Sequence, residues 1–293
     1  MLDLDALEAF VASCESGSVS RAASGLFRSQ PAVTRQIAAL EESLGEILLE
    51  RTSRGVRPTA AGSRVLPLAR ALLRDAKALR EAAKEGEGPS GVLRIAASDT
   101  VAQYWLSPKL GEFCREHPRV RLQLDLASSP EIAHRVAQGL SDVGFVLLPL
   151  KHPSLVGRTV LSYHHVAAFP ATASGVQSSE VTQEELAGFP LVLLGRHTHS
   201  RQLIEEGFRS RGLWPDRIVE VGNVSVQKEL VRSGLGVGVL PDYARRPDDG
   251  LVYRPIHGAS RREIAVVTHK TDFAAGPAER FVRGLLEALS ANP

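Results

Sequence analysis

Cysteine is nearly missing from this chain: two in 293 residues, Cys14 and Cys114, far apart in segments of helical pattern. That excludes a disulfide framework and any CxxC motif, and both thiols are expected to be reduced and half-buried. No run approaches the ~18 apolar residues a membrane span requires, so no membrane partner is expected. Residues 1 to 15 hold Asp3, Asp5, Glu8 and Glu15 but no Lys or Arg, which does not read as a secretion signal. A cytoplasmic location is expected.

Chemical signatures are scarce too. His164, His165, His197 and His199 come without Cys or a carboxylate at ligand spacing, so no metal is expected. The glycines of "GLGVGVLP" (234–241) follow a helix and lead into a strand, the reverse of the order that cradles phosphate. Gly234 reads as a helix cap there, and no cofactor is expected. Nor is there a Ser–His–Asp pattern, and the chain does not read as an enzyme.

Net charge is only +2, but it is unevenly placed. From Arg51 to Lys84 nine basic residues face two acids, Asp75 and Glu81. A basic stretch inside a near-neutral chain points to a polyanion at one face. A solvated arginine-rich helix is the other reading.

Leu4, Leu7, Phe10 and Val11 give residues 3–14 a helical stripe, ended by "SGS". Ser18 can cap a second helix through Leu26, and Ser29 a third that tolerates Pro31 and stops at Gly45. On that third helix Val33, Ile37, Leu40 and Leu44 share one face, while Gln30, Pro31, Thr34 and Arg35 lie opposite or on the flank, beside Ala38 and Ala39. Small residues permit close approach, and Gln and Arg suit adenine and guanine edges. Two helices around a tight turn with such a face form a helix-turn-helix, which puts that face into the major groove; a three-helix bundle is the bland alternative. "EILLERTSRGVRPT" (46–59) then reads as a two-stranded wing.

A long helix is expected from Thr59 to Lys84. Val65, Ala69, Leu72, Ala76, Leu79 and Ala83 are spaced 4, 3, 4, 3, 4, a heptad seam suited to pairing with a second copy. After "EGEGPSG" (85–91), strand-like "VLRIAA", "VRLQLDLA" and "DVGFVLL" alternate with helical segments, and "VAAFP", "PLVLLG", "RIVEVG" and "GVGVLP" continue the pattern. Alternation of this kind implies parallel sheets covered by helices, in two similar halves.

The stretch "LEAFVASCESGSVSRAASGLFRSQPAVTRQIAALEESLGEILLERTSRGVRPTAAG" resembles the N-terminal domain of LysR-type transcriptional regulators, with "AA..L..SQPAVTRQI..LE..LG..L..R" as its most specific core. Leu49 stands where an aromatic is usual and Thr34 where Ser is usual. The resemblance implies an α/β protein with an all-α, winged N-terminal domain: a winged helix-turn-helix (1–59), a linker and dimerisation helix (60–84) and a hinge (85–91). An effector-binding domain (92–293) would follow, made of two Rossmann-like subdomains of periplasmic-binding-protein type, the first about 92–162 and 268–293, the second about 163–267. Residue by residue it implies base contacts from Gln30, Pro31, Thr34 and Arg35, a wing at phosphates or the minor groove through Arg51, Thr52 and Arg54, and phosphate contacts from Ser18 and Arg28. Its implied partners are double-stranded DNA with inverted repeats, a second copy (dimer or tetramer) and RNA polymerase.

In two-part α/β modules ligands sit outside the carboxyl ends of the strands, where helix N-termini favour anions. "ASDT", "ASSPE" and "GNVS" are such junctions. Ser98, Thr100, Ser128 and Asn223 are therefore the expected contacts to a small carboxylate effector. "TVLSYHHVAAFP" and "DVGFVLLP" are similar to the family branch that responds to amino acids or opines. The competing reading is an α/β small-molecule-binding protein or enzyme whose N-terminus only dimerises it.

Overall fold

Each of the first three helices begins at a side chain able to accept a backbone N–H. Asp3 receives Asp5 N at the start of α1 (Leu4–Ser16), Ser18 receives Arg21 N at α2 (Val19–Gly25), and Ser29 receives Ala32 N at α3 (Gln30–Leu44). The structure is a computed structural model that describes residues 2–53, 55–82, 89–172, 178–270 and 276–291. Val33 and Ile37 of α3 pack on Ala9 and Ala23, and Leu40 joins Leu7 and Phe10. Leu44, expected on the same buried stripe, is exposed, because α3 has by then run past the helices it packs against. The α2–α3 turn places Phe27 at φ +54° with 98% of its surface exposed, a left-handed conformation that costs a bulky residue about 1–2 kcal/mol.

The wing is an antiparallel pair, β1 (Leu49–Thr52) and β2 (Gly55–Pro58), with Leu49 opposite Pro58. Its base is joined to α4 (Ala60–Ala82) at close quarters: Thr59 Oγ1 donates to Ile47 O and accepts from Gly62 N, and a Cβ on Gly62 would lie 2.0 Å from Leu48 O. The expected seam of α4 splits. Val65 and Ala69 pack against the N-terminal core, whereas Leu72 and Leu79 are 44% and 73% exposed, and Leu68, not assigned to the seam, is 45% exposed. The cause is that the first turns of α4 cover α1. The apolar stripe left open is therefore Leu68, Leu72 and Leu79. Ala83, Lys84 and most of the expected hinge lie outside the described residues.

Two five-stranded sheets follow. The first has the order β4-β3-β5-β12-β6: β3 (Gly91–Ala97), β4 (Val120–Leu126), β5 (Val143–Leu147), β6 (Leu155–Tyr163) and β12 (Arg262–His269). The second has the order β11-β7-β10-β8-β9: β7 (His165–Pro170), β8 (Leu191–Leu194), β9 (Ile218–Val221), β10 (Val237–Pro241) and β11 (Leu251–Pro255). In each, three parallel strands (β4-β3-β5 and β9-β8-β10) are extended by antiparallel ones. The halves thus repeat one topology, and the sheets are mixed where parallel ones were expected, because the strands that cross between halves enter from the opposite end. The expected boundary near 267–268 also moves. Arg262–His269 pairs with β5 and β6, so the chain has already returned to the first half by residue 262.

Helices cover both sheets: a helical run from α5 (Asp99–Val101) through a π segment (Ala102–Leu106) to α6 (Ser107–Glu116), then α7 (Ser129–Ala137), α8 (Gln183–Ala187), α9 (His199–Arg209), α10 (Val224–Arg232) and α11 (Pro277–Ala291). Each half lends a tyrosine to the other: Tyr104 packs on the core of the second, Tyr243 on that of the first. Buried Lys228 secures this contact, with Asp249 Oδ2 at 2.8 Å and the Tyr104 ring centroid at 4.8 Å.

Two substitutions should move stability in opposite directions. Gly62→Ala should destabilise the N-terminal domain by about 1–3 kcal/mol through overpacking against Leu48. Phe27→Gly should stabilise it, by up to about 1 kcal/mol once the entropy cost of glycine is subtracted. Thermal unfolding of both variants beside the parent checks this; a stabilised Gly62→Ala would refute the close-packing account.

Candidate functional site

One candidate surface is the exposed side of α3 with the wing. Gln30, Pro31, Thr34 and Arg35 are all exposed, and successive pairs stack one turn apart. None of the Gln30, Thr34 and Arg35 side chains has a hydrogen bond or ion pair among the described residues, so their donors and acceptors remain available for a partner. Arg51 is likewise exposed and unpaired there, whereas Thr52 Oγ1 bonds Gly55 O at 3.3 Å. Arg54 lies outside the described residues.

Two expected phosphate contacts have work inside the protein. Ser18 Oγ caps α2. Arg28 reaches Asp5 Oδ1 at 3.1 Å and Glu8 Oε2 at 3.3 Å on α1 and Gln36 Oε1 at 3.3 Å on α3, so its charge is neutralised by two carboxylates. In this structure it clamps α1 to α3. Glu41, near the end of α3, is a positioning residue: its carboxylate accepts Leu48 N at 2.7 Å and Leu49 N at 3.1 Å and so fixes where the wing leaves the helix.

The second candidate is a cleft of about 400 Å³ between the two α/β halves. Ser98, Thr100, Ser128 and Asn223 all line it, brought together from three helix starts. A fourth start, α9, contributes His197, Thr198, His199 and Ser200; the sequence expectation omitted it although "LLGRHTHS" has the same strand-to-helix pattern. Ser98, Thr198 and Asn223 spend their side chains on their own helices, accepting Val101 N, Arg201 N and Val226 N. Ser128 begins α7 without a side-chain cap bond, and neither it nor Thr100 makes a side-chain hydrogen bond among the described residues. Those two hydroxyls are the available ones.

The described lining contains no Lys or Arg; Asp99 is its one carboxylate. Tyr163 and Tyr243, edge to face at 5.2 Å, form part of the wall, and burial raises the pKa of both, which keeps them neutral. Positive potential must therefore come from helix ends, whose free N–H groups carry roughly half a charge. Among the described residues no cluster of three His, Cys, Asp or Glu is placed to hold a metal.

Cleft and N-terminal domain meet through α7. Its first residues line the cleft, and at its far end Arg70 Nη1 donates to Gln138 O at 2.7 Å and Arg74 Nη1 to Gly139 O at 3.0 Å. Arg74 also pairs with buried Asp142 at 3.4 Å, and Arg70 with Glu15 of α1 at 3.2 Å. The basic stretch is thus divided: Arg51 faces outward, while Arg70 and Arg74 join the domains. Cys14, beside Arg70, is half-buried, and burial pushes its thiol up to about 11.

Comparison with known proteins agrees with this layout. The model for the bacterial regulatory helix-turn-helix protein, lysR family, matches residues 4–63, and that for the LysR substrate binding domain matches residues 86–290. The chain is 31% identical over 244 residues to the HTH-type transcriptional regulator CysB of Burkholderia cenocepacia, across 82% of this chain and 78% of that protein. It is similar in fold to a full-length OxyR variant from Pseudomonas aeruginosa (TM-score 0.74, 23% identity, 99% of this chain and 95% of that one). Full-length CbnR solved with its target DNA is also similar (TM-score 0.58, 25% identity, 98% and 100%).

His165, behind the cleft wall, makes a testable contribution. Its Nε2 lies 2.8 Å from Ser200 Oγ, and burial, with Arg262 and His164 nearby, lowers its pKa to about 4. In the unfolded chain the ring titrates near 6.5. Between about pH 6.5 and 4 the unfolded state therefore binds the extra proton, so this contribution is complete above that window and lost as pH falls through it. His165→Gln should flatten the acid loss of unfolding free energy there, by up to about 3 kcal/mol. Urea denaturation across the window reads it; parallel curves for the two proteins would refute it.

Proposed function

The chain belongs to the LysR family of bacterial helix-turn-helix regulators, and on that premise we propose how this member reads DNA and how it is switched. It is a DNA-binding transcriptional regulator with an effector-binding domain. It acts in the cytoplasm as a dimer or tetramer on inverted-repeat promoter sites, and it is no enzyme. Gln30, Pro31, Thr34 and Arg35 read bases, while Arg51, Thr52 and Arg54 hold the wing on the backbone. The likeness to CbnR, solved with its target DNA, supports the DNA reading, and the open stripe Leu68, Leu72 and Leu79 supports pairing of two α4 helices. The effector is a small carboxylate, amino-acid-like, held by Ser128, Thr100 and the surrounding helix starts, with Ser98 and Asn223 offering the backbone N–H groups they precede.

The observation that carries the switch is the double attachment of α7. Nine residues at 1.5 Å each make a rod of about 14 Å. A ligand that draws its N-terminus inward must shift the carbonyls that Arg70 and Arg74 hold, and so shift α4. Coupling of this kind is worth about 1–3 kcal/mol between two sites.

Two tests separate these assignments. Arg35→Ala should cost about 1–3 kcal/mol and relax preference at one base pair per half-site, whereas Arg51→Ala should weaken all sequences alike and reduce the salt slope by about one. Binding titrations across salt and operator variants would overturn the division if both variants behaved identically. For the switch, a small carboxylate found by thermal-shift screening should change DNA affinity in the parent protein by about 5–150-fold. In Arg70→Gln/Arg74→Gln that ratio should fall toward one while carboxylate binding persists; an unchanged ratio would refute the rod.

A further inference from the structure

A second cavity, of about 360 Å³, lies on the other side of α9 and shares no lining residue with the cleft. It opens between α8, α9 and the crossover that returns the chain to β12. Its lining is mixed: Leu186, Ile204, Phe208 and Ile256 form an apolar side, and Gln183, Glu206 and Ser260 a polar one.

At one end stands Arg262, half-buried, with no hydrogen bond or ion pair among the described residues. The strand's own acid does not serve it: Glu263 points with Arg261, which it meets at 3.9 Å and which also bonds Ser162. A guanidinium partly withdrawn from water without an acceptor is costly, so an anion there gains both charge and hydrogen bonds. Arg262 lies close enough to act on its surroundings, since it helps to lower the pKa of His165, which lines the same cavity. Arg211, held by Gln183 Oε1 at 3.1 Å, and exposed Glu206 also line it, and their opposite charges offset each other.

We infer that this cavity is a second ligand site, which takes a small monocarboxylate with an apolar body: carboxylate on Arg262, body along Leu186, Ile204, Phe208 and Ile256. The His165–Ser200 hydrogen bond links it to the cleft, since Ser200 lines the cleft and His165 this cavity. The site stands apart from the effector reading, so either can fail alone.

The test is calorimetric titration of the full chain with hexanoate, benzoate and glutarate. Saturable binding is expected for hexanoate or benzoate, with glutarate at least tenfold weaker because its second carboxylate would be desolvated against Leu186, Ile204, Phe208 and Ile256. Arg262→Gln should weaken the bound monocarboxylate tenfold or more, and Thr100→Val/Ser128→Ala in the cleft should leave it unchanged. If Arg262→Gln does not fold, Ala259→Phe, which fills the mouth, replaces it with the same expectation. The site is overturned if neither monocarboxylate saturates, if the cavity variants bind like the parent, if the cleft variant loses the binding instead, or if glutarate binds as well.

Discussion

The carbonyls that end α7 have no partner in their own helix, and the chain supplies donors from 68 and 65 residues earlier, on Arg70 and Arg74. Those two guanidinium groups tie the first α/β half to α4. They are rooted in α4, whose first turns are locked onto α1 by Val65, Leu66 and Ala69 and onto the wing by Gly62. The recognition helix is in turn clamped to α1 through Arg28 and to the wing through Glu41. From Gln30 to Ser128 there is thus a continuous series of rigid contacts, each a hydrogen bond, an ion pair or a packed core.

The cleft uses a different kind of electrostatics. With tyrosines kept neutral by burial and no lysine or arginine in its described wall, it presents the backbone dipoles of helix starts. Such dipoles are fixed to helices and cannot swing toward the ligand as a long side chain would. Arg262, by contrast, brings a half-buried side-chain charge to the outer cavity.

Much of this was legible in the sequence. Ser18, Ser29 and Gly45 marked helix ends because capping is a local matter of one side chain and three residues of backbone. The two-part α/β layout followed from the alternation of strand and helix patterns. The site was half legible: strand-to-helix junctions pointed to Ser98, Thr100, Ser128 and Asn223, and the fold gathers all four. The fourth junction, at His197–Ser200, has the same strand-to-helix pattern, and the fold brings it beside the other three. Edge strands such as β6 and β11 went unseen, since their exposed, interrupted patterns resemble loops.

What the sequence determined by itself is whatever depends on neighbours within a turn or two: helix caps, the exposed face of α3, the junctions that favour anions, the absence of a disulfide framework. What only the tertiary structure decided is how each charged side chain is spent. Arg28, Arg35, Arg51 and Arg70 are indistinguishable as letters, yet one clamps two helices, two face outward, and one holds a carbonyl of a distant helix. An arginine reaches several ångströms from its backbone, so its partner is chosen by packing in space. The same holds for Arg262, whose lack of a partner among the described residues shows only in three dimensions.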